Sequence, residues 1–318
     1  MQRVNTLNGY LKKRFGEKIY KLSLDGGMTC PNRDGKIGYG GCIFCSASGS
    51  GDFAEPVCES ISKQIQNAKR RVQSKMKGGG RYIAYFQSFT NTYAPPEYLR
   101  RVFNEAIADD DIAALSVATR PDCLGEQVLN LLCELQRIKP VWVELGLQTI
   151  HEKSIKYIRR GFDNACFERA ASDLKSIGVE VIVHVIVGLP NETREQMLQT
   201  VRYLNGVGID GIKLQLLHVL ENTDLAEDFR QGRFSAMGMD EYIETLLDCI
   251  EELSPQTVVH RMTGDGDKKI LVAPQWSADK KTVLNAIGKR LEERDVFQGS
   301  RLLGKQEAAM RMEIISRL

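Results

Sequence analysis

The sequence predicts an α/β fold: a partial parallel barrel of six β/α units over residues 1–253, followed by a small α+β extension over residues 254–318. Three observations predict it. Strand-like and helix-like segments alternate from about residue 20 to 250, an order that implies right-handed crossovers and a parallel sheet. Several strand-like segments are continuous apolar runs, as parallel strands covered on both faces require. The alternation stops near residue 254, where the chain becomes short-ranged and turn-rich.

In chain order, strands are expected at 20–24, 82–87, 115–119, 141–147, 179–187 and 211–219, and helices at 57–76, 96–108, 124–137, 164–176, 193–205 and 240–252. The longest apolar run, from Val181 to Leu189, is interrupted only by His184 and Gly188. Gly178 stands where the helix over 164–176 should stop. Gly78-Gly79-Gly80 reads as a hinge between the first long helix and the second strand. Six units are too few to close an eight-stranded barrel, so the sheet is expected to stay open. In the extension, two short strands at 257–262 and 269–272 flank the turn Gly264-Asp265-Gly266-Asp267, and a helix follows over 278–294.

The composition narrows the class. With 42% hydrophobic and 26% charged residues the chain is an ordinary globular one. A net charge of +2 neither demands nor excludes a nucleic-acid partner. Residues 1–6 lack the apolar core of a signal peptide, and no run approaches the ~18 apolar residues of a membrane span. A cytoplasmic location and no membrane partner are expected. In that setting the eight cysteines are thiols or metal ligands rather than a disulfide framework.

Cys30, Cys42 and Cys45 are the strongest signal. Cys42-Ile43-Phe44-Cys45 is a CxxC, and Cys30 precedes it by eleven intervening residues that include Pro31, Gly35, Gly38, Gly40 and Gly41. Glycine permits the close backbone approach that a loop around an inorganic cluster needs. The loop also follows the first strand, on the side where parallel α/β folds keep their chemistry. Three thiolates are one short of a closed site, and an open fourth position suits catalysis. Spacing alone leaves three readings open: a redox-active iron–sulfur cluster, a structural zinc site, and plain buried thiols. A Cys₃His zinc site would need a histidine, and the first is the distant His151. Cys58, Cys123, Cys133, Cys166 and Cys249 fall on or near predicted helices and read as small hydrophobes.

The segment 21–35 together with the long cysteine gap resembles a bacterial subfamily of the radical SAM superfamily. The usual core motif of that superfamily is CxxxCxΦC; Phe44 matches its aromatic, while the first gap here is longer. Glu144-Leu145-Gly146-Leu147-Gln148-Thr149 and Val187-Gly188-Leu189-Pro190-Asn191-Glu192-Thr193 are similar to strand ends in related radical SAM enzymes. Thr223, Leu225, Gly232, Arg233 and Phe234 resemble the region that follows the barrel in the elongator catalytic subunit. The resemblance implies a radical SAM partial barrel, a [4Fe–4S] cluster on Cys30, Cys42 and Cys45, and S-adenosylmethionine on the fourth iron. One electron, from a donor such as flavodoxin or ferredoxin, then yields a 5′-deoxyadenosyl radical. It also implies tRNA as substrate, through conversion of a wobble-uridine 5-carboxymethylaminomethyl group to aminomethyl. Acetyl transfer, the elongator subunit's further activity, is not implied.

On the same basis the cofactor-binding candidates are Phe44, Gln87, Thr90, Glu144, Gln148, Gly188 and Pro190. Glu144 and Gln148 share a strand face with Gly146, and polar groups are unusual on a central strand. Arg120, Asp122, His184 and Lys213 are candidates for the substrate, Lys213 for a phosphate or carboxylate. Basic clusters at Lys12, Lys13, Arg14 and at Lys69, Arg70, Arg71, Lys75, Lys77 are phosphate-contact candidates, or solvated helix faces. Two other functions fit the same residues: radical SAM chemistry on a small metabolite or peptide, and a zinc-stabilised binding protein without catalysis.

Overall fold

The computed structural model describes residues 2–49, 51–73, 76, 79–264 and 266–317. Lys75, Lys77, Gly78 and Asp265, named above in a basic cluster, the hinge and the turn, lie outside the described residues.

The chain begins with α1 (Leu7–Phe15), capped by the Thr6 hydroxyl and ended by left-handed Gly16. There follow β1 (Ile19–Leu24), the cysteine loop, α2 (Ile61–Gln73), β2 (Arg81–Phe86), α3 (Pro96–Ile107), β3 (Ile112–Thr119), α4 (Glu126–Gln136) and β4 (Val141–Gln148). Then come α5 (Glu152–Tyr157), α6 (Asn164–Ser176), β5 (Glu180–Val187), α7 (Arg194–Val207) and β6 (Gly211–Leu216). The remainder is β7 (Val219–Leu220), α8 (Asp224–Arg230), α9 (Met239–Glu252), β8 (Val258–Arg261), β9 (Leu271–Ala273), α10 (Lys280–Glu293), α11 (Ser300–Leu303) and α12 (Lys305–Arg317). Local chemistry sets many of these boundaries. Proline at the first turn opens α3, and a Thr193/Gln196 capping box opens α7, which left-handed Gly208 closes.

All six expected units form, and their strands pair in parallel in chain order. The sheet then continues past residue 253. β8, expected in the extension, pairs in parallel with β6, so seven strands make the half-barrel. The other expected extension strand, β9, pairs instead with β7, antiparallel. Main-chain groups cannot stay unpaired at the edge of a buried sheet, and β6 offered such an edge to β8. The helix expected over 57–76 starts only at Ile61, leaving Val57 and Cys58 exposed.

The strands bury their outer face against the helices and their inner face against one another. At the amino ends of the strands the bore is plugged: Leu7, Leu11 and Phe15 of α1 pack with Ile19, Ile83, Ala114, Trp142 and Ile182. Among the described residues that end is sealed, and the bore opens toward the carboxyl ends. Among the described residues no helix is long and apolar enough to cross a membrane.

Candidate active site

At the carboxyl ends of the strands lies a cavity of about 240 Å³, and Cys30, Cys42 and Cys45 all line it. The loop that carries them is fixed by its own backbone. Arg33 N–H donates to Cys30 O at 2.8 Å, Gly41 N–H to Asn32 O at 2.8 Å, and Cys45 N–H to Cys42 O at 2.9 Å. Gly40 and Gly41 take φ of 80° and 83° immediately before the CxxC, a left-handed pair that side chains resist. Asn32 Nδ2 donates to Arg159 O at 2.6 Å and lies 3.6 Å from Cys42 Sγ. The Arg33 guanidinium donates to the carbonyls of Cys45, at 3.1 Å, and Ser46.

All three thiols are free of disulfides. Burial, reinforced by the Cys45 sulfur, pushes the Cys42 thiol up to about 12. Burial likewise raises Cys45, against the opposing charge of Arg33. Buried thiolates therefore need a metal's charge to persist. Among the described residues no three His, Cys, Asp or Glu side chains gather as a site for one ion. Three soft sulfur donors on one loop that line one cavity suit an iron–sulfur cluster, which takes its sulfurs at separate irons.

The cavity floor is a buried charge network centred on Glu144 of β4. Its Oε1 accepts from Lys21 Nζ at 2.7 Å and Ser116 Oγ at 2.9 Å; its Oε2 accepts from His184 Nε2 at 2.7 Å and from Lys213 Nζ. Lys213 Nζ also donates to Tyr85 OH at 3.1 Å. The two ammonium groups hold the Glu144 carboxyl well below its usual range despite complete burial. Burial lowers Lys213 to about 7, against the pull of Glu144. Burial and the charge of Lys213 lower His184 to about 4, so its ring is neutral. Nε2 of that ring donates to Glu144, and Nδ1 faces Gln215 Nε2 at 3.4 Å.

The rim holds the other candidates. Phe44, Gln87, Thr90, Arg120 and Gln148 line the cavity. Gln148 has φ 69°, and its buried Oε1 has no hydrogen-bond partner, an acceptor aimed at a missing donor. Arg120 is locked to Asp122 by two bonds of 2.9 and 2.8 Å; it lines the cavity and Asp122 does not. Glu144, expected as a cofactor ligand, has both oxygens engaged by the chain's own donors. Gly188 and Pro190 lie behind the cavity wall: a side chain on Gly188 would meet Met237. Leu189, between them, shares an apolar cluster with Phe44, Ile186 and Leu217.

Sequence reading missed Lys21, Ser116, Gln215, Arg261 and the anchoring Arg33. The available signal was polar residues at every second position of otherwise apolar strands, as at Lys213 and Gln215. The described residues of the basic clusters do not line the cavity. Lys12, Lys13 and Arg14 end α1, at the sealed end of the bore, where Arg14 pairs with Glu180. Lys69 bonds Asp109 and Asp111, and Arg71 pairs with Glu55.

Comparison with known proteins gives consistent results. Residues 30–204 match the model of the Radical SAM superfamily, and residues 209–293 that of the Radical_SAM C-terminal domain. The chain is 44% identical over 298 residues to the uncharacterized protein YtqA of Bacillus subtilis, covering 94% of this chain and 92% of that one. It is 29% identical over 142 residues to the tRNA uridine(34) acetyltransferase of Methanocaldococcus jannaschii, 44% of this chain but 26% of that one. The solved structure of Methanocaldococcus infernus Elp3 superposes with a TM-score of 0.67 at 17% identity, over 88% of this chain and 64% of that one.

Proposed function

Because the chain belongs to the radical SAM superfamily, we propose that it is a tRNA-modifying enzyme that converts the 5-carboxymethylaminomethyl group of a wobble uridine to aminomethyl. The observation that carries the chemistry is the three unpaired thiols on the loop after β1, facing a cavity at the strand ends. The similarity to a tRNA uridine(34) acetyltransferase supports the substrate.

The superfamily's cofactors are a [4Fe–4S] cluster and S-adenosylmethionine (SAM), and when bound they supply a 5′-deoxyadenosyl radical after one-electron reduction. Cys30, Cys42 and Cys45 would hold the cluster through their three thiolates. Gln148 Oε1, buried without a partner, would accept a hydrogen bond from SAM. Gln87 and Thr90, which follow β2, would bind the polar end of SAM, and Phe44 would pack beside the adenine. Gly188 and Pro190 shape the turn that supports Phe44 from behind. Arg120 is held by Asp122 at the mouth, where its charge steadies the thiolates. Ala118, Ile186, Leu216 and Leu217 keep water from the reacting atoms. Lys213 and His184 stand at the floor, on the substrate's side. A wobble base reaches them only from a splayed anticodon loop. The reductant is a cytoplasmic one-electron donor such as flavodoxin or ferredoxin.

Nucleoside mass spectrometry of tRNA from a strain lacking this protein tests the reading. Accumulated 5-carboxymethylaminomethyluridine and absent 5-aminomethyluridine are expected. An unchanged nucleoside profile would remove tRNA as the substrate and leave a metabolite or peptide.

A further inference from the structure

We propose that Lys213 is the receptor for the substrate's carboxylate, and so separates substrate from product by charge. The inference deepens the reading above and rests on it for the identity of that carboxylate.

It starts from an imbalance in the floor. Lys21 and Lys213 both pair with Glu144, and His184 beside them is neutral. Two lysine amines therefore share one carboxylate, and Lys213, which burial holds at about 7, gains its full proton when an anion reaches it. Glu144 has no capacity left, since each of its oxygens already accepts two hydrogen bonds. The other acid lining the cavity, among the described residues, is Asp52, which accepts from Ser46 and Ser48 on the cysteine loop. Of the two lysines only Lys213 lines the cavity. Its ammonium donates to Glu144 and Tyr85, so one of its three N–H groups has no partner among the described residues. A buried ammonium with a spare donor and surplus positive charge is stabilised by an anion arriving from the cavity.

The remaining cations of the cavity have other clients: the Arg261 guanidinium donates to Gln215 Oε1 at 3.3 Å. Arg33 serves the Cys45 and Ser46 carbonyls, Arg120 serves Asp122 beside Cys30 and Cys42, and Arg160 is consumed by backbone carbonyls and Asn164. The chemistry also gives the site a direction. A carboxymethylaminomethyl arm ends in a carboxylate that Lys213 attracts. The aminomethyl product ends in an ammonium that Lys213 repels, which favours its release.

Lys213→Met tests this in the full-length, cluster-reconstituted protein, because Glu144 keeps Lys21 as its counter-charge. Binding is measured for 5-carboxymethylaminomethyluridine, 5-aminomethyluridine, N-methylglycine and SAM, with Lys213→Arg as the charge-retaining control. The substitution should weaken binding of the two carboxylates by about tenfold or more, the loss of one charge-assisted hydrogen bond. It should leave the affinity for SAM within about twofold and the aminomethyl nucleoside no weaker, and Lys213→Arg should recover most of the carboxylate affinity. A loss confined to SAM would mean that Lys213 holds the cofactor's own carboxylate, and overturns the proposal. Equal affinity of wild type and Lys213→Met for both carboxylates overturns it too. N-methylglycine binding that depends on Lys213, alongside an unchanged tRNA profile in the deletion strain, would retain the carboxylate site and reject tRNA alone.

Discussion

His184 sits inside a strand, in contact with a carboxylate, and is nevertheless neutral. Burial and the charge of Lys213 outweigh the attraction of Glu144 and bring it to about 4. An unfolded histidine titrates near 6.5. Between those values the unfolded chain binds more protons than the folded one, so stability rises with pH across the window. Wild-type protein should lose about 2 kcal/mol of unfolding free energy between pH 7 and pH 5 through this one group. Urea titrations at the two pH values check it, with His184→Gln as the comparison: an undiminished pH dependence in the variant would assign the effect elsewhere. From the sequence, His184 was visible as a polar break in an apolar run. Its neutrality was not, because that depends on Lys213, 29 residues away along the chain and adjacent only once β5 and β6 pair in register.

At the scale of elements, the strands were legible and the cysteine loop was half legible. Parallel strands buried on both faces write themselves as apolar runs, and that pattern located all six expected strands. The loop showed its cysteines and its glycines, but its path is set by single contacts. Arg33 fastens the CxxC by its carbonyls, and Gly41 must take φ 83°, with Arg33 Nε only 2.9 Å from where a Cβ would stand. Gly41→Ala should cost about 1–2 kcal/mol, from the left-handed backbone penalty and the displaced guanidinium. Iron content after anaerobic reconstitution should fall below that of wild type while far-ultraviolet circular dichroism is unchanged. Full iron loading in the variant would show that the loop tolerates a side chain there.

For the whole molecule, the residues beyond 253 are bound to the barrel rather than appended to it. β8 extends the sheet, and the amino terminus reaches across to the same region: Val259 N–H donates to Asn5 O at 2.7 Å, and Asn5 N–H to Gln298 Oε1 at 2.9 Å. On the outer side, Asp248 of α9 gathers Arg194, Arg294 and Arg301, joining α7 and α11 to α9. Those arginines are partly solvated, so the ion pairs are worth less than fully buried ones. Asp248→Asn should destabilise by about 1–3 kcal/mol, as a buried acid whose partners keep other acids nearby. Its urea unfolding should remain one transition with an unchanged slope and a lower midpoint. Two separated transitions would instead show that the carboxyl-terminal part unfolds on its own.

The sequence by itself determined the α/β class, the order of the strands and the three cysteines of the loop with the aromatic between two of them. Those features are written locally, in apolar runs, glycine positions and short spacings. Tertiary structure alone decided that β8 joins the sheet, that α1 seals the bore, and that Lys21, Ser116, His184 and Lys213 meet on one carboxylate. Strand pairing and the stagger of a curled sheet bring those groups together from positions up to 192 residues apart. The energy of a buried charge depends on that company, which no local pattern in the chain records.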